Sequence, residues 1–238
     1  LGALINPITT TFLLHALQLL FFAIWVYTHR HPILIKSRDL KYLITFSVIS
    51  ALPLFLFTSA MQHLNIGAVL LIQNVVTLFV SILVEYLTLN KLPSIIQTSY
   101  ILISITAIAL IYLPFEVQSI IGIFFASGVG LTNALTNQLR GQLGQNYTPE
   151  KLSLYSSVAG TLLWGIICLL SNSVVTSLLF STPILLLTLG VYALLNIATT
   201  FLINKGFATV PLTLGNTLLL LEIIVGYSLG ALFFNEYY

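Results

Sequence analysis

Glu222 is the residue whose position in this sequence most strongly suggests chemistry. It lies inside an apolar run, with leucines at 218–221 before it and β-branched residues at 223–225 after it. An ionised carboxylate at the centre of a membrane helix costs about 2.5–3.5 kcal/mol on insertion scales, so a functional role is the first hypothesis for such an acid. Its carboxyl group could bind a cationic part of a substrate or exchange protons. The alternative is a protonated carboxyl group that only hydrogen-bonds to a neighbouring helix.

Polar side chains also recur three or four positions apart in other apolar segments, which places them on one face of a helix. Such a face should point away from lipid. Each serine or threonine taken alone is explained more simply by a bond to its own helix. The joint pattern, with Asn, Gln, His and Trp, favours a shared cavity. We predict that the residues binding a substrate there are Glu222, Asn74, Asn196, Tyr192, Trp164, Asn133, His15 and Gln18.

Two other ionisable residues in apolar segments have simpler explanations. Glu85 lies about one turn from the end of its segment, near Lys91, and we expect it to have a structural or interfacial role. His15 could relay protons, although a hydrogen-bonded histidine inside a helical bundle is the simpler interpretation.

Small residues recur every four positions at Gly122, Ala126, Gly130 and Ala134, and a similar pair follows at 226 and 230. This spacing lets helix backbones approach closely. We expect these stripes to pack within the chain, although the same spacing would also suit a homodimer contact.

The composition indicates that lipid is the solvent for most of the surface. Hydrophobic residues make up 58% of the 238 residues and charged residues only 6%, whereas a soluble domain carries about 25% charged residues. The net charge of +2 argues against a nucleic-acid-binding surface. The single cysteine, Cys168, excludes a disulfide within the chain.

About 20 apolar residues are needed to cross a bilayer as a helix. Prolines fall mostly at the edges of the apolar segments, where a missing N–H matters least. Pro53 is the exception and should kink its segment. The eight predicted spans are 10–28, 42–62, 66–89, 97–114, 117–136, 153–171, 182–203 and 212–234.

The basic residues support this count. If successive helices alternate in direction, all eight lysines and arginines fall on one side of the membrane, and the loops near 63–65, 115–116 and 172–181 contain none. Because basic residues favour cytoplasmic loops, we predict that the 29–41 loop is cytoplasmic.

No loop is long enough to hold a soluble catalytic domain. The sequence contains no phosphate-binding Walker loop, zinc-protease histidine pair, cysteine cluster or serine-hydrolase motif. We therefore expect no cofactor, no metal site and no enzymatic activity. Transport driven by ATP within this chain is not expected either. The longest loop, about 137–152, is the predicted junction between two halves.

Two stretches resemble the EamA-type proteins of the drug/metabolite transporter superfamily. The first runs from 59–68 to Asn90 and Lys91, and the second runs from 206–211 through Glu222 to 234–236. Glu222 and Glu236 match the spacing of two acids in the family pattern. Four positions depart from that pattern, with Ile223 and Val75 where proline is usual, Asn235 where glycine is usual, and Thr88 where glutamate is usual.

The resemblance implies an all-α polytopic membrane protein with two inverted repeats of five helices. The repeats here would be 1–114 and 115–238, with about eight helices present and most of helix 1 and helix 10 absent. It also implies a secondary transporter that moves a small metabolite or drug-like solute by alternating access through a central cavity. We expect a multi-pass protein of the bacterial inner membrane. The alternatives are a non-transporting membrane scaffold and a lipid-acting membrane enzyme.

Overall fold

The structure is a computed structural model that describes residues 6–30, 35–89, 95, 98–99, 102, 106, 119–171, 183–222 and 225. These residues are almost entirely helical, and none of them forms a strand. A short 3₁₀ turn, Ser37–Asp39, precedes the second helix. The helices are α1 (Pro7–Thr28), α2 (Leu40–Ser50), α3 (Pro53–Ala60), α4 (Ile66–Leu89), α5 (Ile120–Leu143), α6 (Pro149–Leu170), α7 (Pro183–Phe207) and α8 (Leu212–Leu219).

Within the described ranges, six helical segments are long and apolar enough to cross a membrane, which identifies an integral multi-pass membrane protein. They are Pro7–Thr28, Ser37–Ala60, Ile66–Thr88, Ile120–Leu143, Pro149–Leu170 and Pro183–Phe207, and they correspond to six of the eight predicted spans. Of the other two, 97–114 is described only at 98–99, 102 and 106, and 212–234 only at 212–222 and 225. The count of eight spans and the inverted five-plus-five repeat therefore stay predictions.

Local sequence signals explain where two of these helices begin. The Asn6 side chain accepts the backbone N–H of Ile8 at 2.9 Å, and Pro7 occupies the first helical position of α1. Pro149 takes the same position in α6. Proline suits this position because its fixed φ is compatible with the helix and its missing N–H would have no partner there.

Pro53 divides the second span into α2 and α3, as its position in the sequence predicts. Helix α2 ends at Ser50, and α3 begins at Pro53 itself. A proline inside a helix removes one backbone hydrogen bond and clashes with the preceding turn. The break leaves the carbonyl group of Ala51 between the two helices, where it can accept a hydrogen bond from another element.

The chain forms two compact units, and the first consists of Leu1–Phe55 and Leu139–Thr209. Within it, α6 packs against α1, α2 and α7, and α1 also packs against α7. Phe22, Val26, Leu154 and Ile197 form one buried cluster of this unit. Helix α6 is thus the central helix of the first unit.

The second unit consists of Leu56–Gln138 and Val210–Tyr238. Within it, α8 packs against α4, and α5 approaches α4 through glycine. A Cβ atom at Gly130 would lie 2.5 Å from the carbonyl oxygen of Gln73, and one at Gly122 would lie 2.6 Å from Leu64 Cγ. The predicted intramolecular packing of this small-residue stripe is therefore confirmed.

Each unit contains residues from both predicted repeats, because each combines a stretch before residue 115 with a stretch after it. The predicted division between 114 and 115 separates two sequence repeats, whereas the two units are defined by their internal contacts. The structure does not test the repeats, so they stay a prediction.

Candidate functional site

The imidazole ring of His15 is buried in the first unit. The residue is only 5% exposed. Neither ring nitrogen has a hydrogen-bond partner among the described residues, although the Ala51 carbonyl and the Gln18 side chain approach the ring. The ring lies against the backbone of α6 at Gly160, which has no side chain to exclude it. A buried polar group without a partner costs free energy, so this ring needs an explanation.

Gln18, one turn after His15 on α1, connects this helix to α7. Its side-chain amide N–H group donates to the side-chain oxygen of Asn196 and to the Thr200 hydroxyl at 3.1 Å. Gln18 is 3% exposed, and Asn196 is half-buried. Both residues lie near the midpoints of their helices, so this amide pair lies deep in the apolar part of the unit.

Trp164 connects α6 to the break at Pro53. Its indole N–H donates to the Ala51 carbonyl at 2.7 Å. Its ring stacks on Phe55, with the ring centroids 4.4 Å apart. The carbonyl group at the break before Pro53 thus accepts the N–H of a buried tryptophan.

Tyr192 is half-buried on α7, one turn before Asn196, and it packs against the apolar cluster of Leu14, Leu189 and Ala193. The structure therefore brings together five of the eight predicted site residues around α1, α6 and α7. We call them the His15 cluster, and its members are His15, Gln18, Trp164, Tyr192 and Asn196.

Two of the other predicted residues, Asn74 and Asn133, lie in the second unit. The side-chain amide of Asn74 donates to the Leu70 carbonyl of its own helix at 2.8 Å. This bond satisfies the amide N–H group within α4, so it supplies no reason to expect a cavity there. Asn133 is half-buried on α5. Substrate binding by either residue stays a prediction.

The second unit contains a buried hydrogen-bond network through Asn216, which the predicted site did not include. Asn137 on α5 donates to Asn216 on α8 at 2.6 Å, and Asn216 donates to the Ser81 hydroxyl on α4 at 2.7 Å. Ser81 in turn donates to the Thr77 carbonyl at 2.6 Å. Asn216 lies in an apolar segment only six residues before Glu222. The reasoning that selected Glu222, a polar residue within an apolar segment, would therefore have selected Asn216 as well.

Glu85 has the structural role that its sequence position suggests. Its carboxylate accepts the backbone N–H of Thr213 at 2.9 Å and also accepts the Thr213 hydroxyl. Thr213 is the second residue of α8, so a carboxylate from α4 caps the amino end of α8. An anion there pairs with an otherwise unsatisfied N–H and with the positive end of the helix dipole.

Glu222 has a helical backbone just beyond α8, and its side chain is exposed. Residues 223–224 and 226–238 lie outside the described part of the chain. Its proposed role in substrate or proton binding is therefore still a prediction. Within the described ranges, no group of three or more His, Cys, Asp or Glu residues could hold a metal ion.

Comparison with known proteins gives no family assignment. No known protein family and no curated protein matches this chain.

Proposed function

We propose that this protein is a secondary transporter that moves a small polar solute across a membrane, and that the His15 cluster contacts the solute. The observation that carries the proposal is a buried imidazole inside a bundle of membrane-spanning helices, with no well-formed hydrogen bond to either ring nitrogen among the described residues. In such a bundle, polar groups are costly unless they are paired or serve a ligand.

The chemistry of the cluster suggests the type of solute. One imidazole nitrogen can donate and the other can accept, and the side-chain amides of Gln18 and Asn196 can do both. The aromatic faces of Trp164 and Tyr192 offer apolar contact close to these groups. A small solute with hydrogen-bond donors and acceptors and an apolar body would use both kinds of contact.

The organisation of the chain is compatible with alternating access. Carriers of this kind move one group of helices against another around a site near the middle of the membrane. Gln18 and Asn196 lie near the midpoints of their helices, which is the depth at which such a site is expected. The resemblance to EamA-type proteins of the drug/metabolite transporter superfamily points to the same mechanism and to metabolites or drug-like solutes as cargo.

The test begins with purified protein and a panel of small metabolites. A solute that binds the folded state raises the thermal unfolding midpoint. Solutes that do so are then tested for uptake into proteoliposomes with and without an imposed ion gradient. We expect His15→Gln and Gln18→Ala to reduce uptake at least tenfold.

The matched control is Thr188→Val, because Thr188 is exposed on α7 and, among the residues that the structure describes, its hydroxyl bonds only to the Ile184 carbonyl of its own turn. This variant should transport like the wild type. Uptake that is unchanged in both cluster variants would refute the assignment of the site. A folded protein that transports no solute of the panel and retains a partner protein would favour the scaffold alternative.

A further inference from the structure

The first unit contains a second polar feature at the ends of two candidate membrane spans. It is a cavity of about 290 Å³ where the second span begins and α5 ends. Its walls are Arg38, Asp39, Tyr42, Gln142, Leu143 and Asn146. We call this cavity the Asp39 pocket.

Among the described residues, only one of the two oxygens of the Asp39 carboxylate lies near a positively charged group. Its Oδ1 atom lies 3.7 Å from Nε of Arg38. Its Oδ2 atom is buried and has no hydrogen-bond partner in the described ranges, and the residue is 6% exposed. A buried carboxylate oxygen without a donor is expensive, so a ligand that brings a donor would be stabilised here.

The walls of the pocket are held in place by the core beneath it. Leu43 and Phe46 of α2 form one buried cluster with Leu143, Tyr147 and Leu152. The backbone N–H of Lys36 also donates to the Tyr147 hydroxyl at 3.1 Å. The start of the second span and the end of α5 are thus fixed to each other.

The charges of the pocket favour a ligand that carries both a positively charged and a negatively charged group. Arg38 has an 86% exposed side chain and can contact an anionic group, while Oδ2 of Asp39 requires an N–H or O–H donor. A bare metal ion would be repelled by the neighbouring guanidinium, and a purely anionic ligand would be repelled by the carboxylate. An ammonium group covalently linked to a phosphate satisfies both residues.

The position of the pocket favours a lipid as the source of this group. Arg38 and Asp39 lie at the first residues of the span Ser37–Ala60, and Leu143 is the last residue of the span Ile120–Leu143. The ends of membrane-spanning helices lie at the level of lipid headgroups. Tyr42, which is 51% exposed, is an aromatic residue of the type found at this boundary.

We propose that the Asp39 pocket binds the headgroup of phosphatidylethanolamine, with the ammonium donating to Asp39 and the phosphate contacting Arg38. This assignment does not depend on the transport function proposed above. Phosphatidylcholine is the informative comparison, because its quaternary ammonium has the same charge but no N–H to donate to Oδ2.

The test uses the full chain, purified in detergent and titrated separately with short-chain phosphatidylethanolamine and phosphatidylcholine while bound lipid is counted by native mass spectrometry. We expect the ethanolamine lipid to bind at least fivefold more tightly. Asp39→Asn should abolish this preference. Arg38→Gln should weaken both lipids alike and leave the preference intact, because both lipids carry the phosphate.

Glu150→Gln is the matched control, since it removes one carboxylate from the first turn of α6 without touching the pocket, and it should bind lipid like the wild type. Equal binding of the two lipids by the wild type, or an undiminished preference in Asp39→Asn, would overturn the proposal. Glycerophosphoethanolamine, which lacks acyl chains, should bind much more weakly. If it binds as tightly as the lipid, the pocket is a site for a soluble solute and the lipid assignment is wrong.

Discussion

The imidazole of His15 packs directly on the backbone of Gly160. A Cβ atom at Gly160 would lie 2.5 Å from Cγ and Nδ1 of the ring and 2.8 Å from Cδ2. Glycine is required at this position because any side chain would occupy the volume of the imidazole. Gly160 thus fixes where the ring of His15 can lie in the first unit.

Gly160→Ala should therefore displace His15. We expect a loss of about 1–3 kcal/mol of folding stability from overpacking, together with a loss of solute-induced stabilisation. Thermal unfolding in detergent, with and without solute, measures both effects.

Gly190→Ala is the control for this substitution. Gly190 lies in α7, where a Cβ atom would meet no atom of another described element within 4 Å. The variant should be as stable as the wild type or gain about 0.5–1 kcal/mol from helix propensity. Equal unfolding midpoints for the two alanine variants would contradict the packing of His15 on Gly160.

Trp164→Phe tests the hydrogen bond to the Ala51 carbonyl. The phenyl ring can keep the stack on Phe55, but it leaves a buried carbonyl without its donor, which costs about 1–3 kcal/mol. Trp25→Phe is the control, because Trp25 is 38% exposed near the end of α1. The unfolding midpoint should fall in Trp164→Phe and stay within error in Trp25→Phe. A similar fall of the midpoint in both variants would show that stability is lost because the phenylalanine ring is smaller, and not because the hydrogen bond is removed.

A third prediction separates structure from function at Gln18 and Asn196. Gln18→Leu leaves the half-buried amide of Asn196 without this partner, and Asn196→Leu leaves Gln18 with only the Thr200 hydroxyl, so each single change should cost about 1–3 kcal/mol. The double variant removes both polar groups and should recover most of this stability. Solute uptake should be lost in all three variants. Recovery of uptake in the double variant would show that these amides only hold α1 to α7.

Glu85→Gln and Thr213→Val test the cap of α8. Loss of a capping group costs about 0.5–2 kcal/mol. Both changes disrupt the bond between the Thr213 hydroxyl and the Glu85 carboxylate, whereas Thr213→Val keeps the backbone N–H that also donates to Glu85. A double-mutant cycle should therefore show that their effects are not additive, with a coupling of at least about 0.5 kcal/mol. Strictly additive changes in the free energy of unfolding would mean that the two side chains do not interact.

The predicted topology can be tested by thiol labelling in intact cells, in a background with Cys168→Ser. Single cysteines at Lys36 and Lys151 should react from the cytoplasmic side, and a cysteine at Met61, which is exposed in the turn after α3, should react from the opposite side. If the two replaced lysines are reached from opposite compartments, the predicted number of spans between them is wrong.

Composition and local patterns were sufficient for the membrane class, for six of the spans and for the break at Pro53. These features depend on hydrophobic length and on the missing N–H of proline, which are properties of nearby residues. The capping role of Glu85 could be predicted only in part from the sequence. Its position near a helix end indicated an interfacial residue, but its partner Thr213 is 128 positions away along the chain.

The sequence by itself determined which helices are apolar and which of their faces are polar. Only the tertiary structure decided which polar faces meet. It placed Gln18 opposite Asn196, directed the amide of Asn74 to its own helix, and introduced Asn216 as the centre of a second network. Helical periodicity fixes the direction of a side chain around its own axis, whereas the choice of neighbouring helix depends on packing between segments distant in sequence.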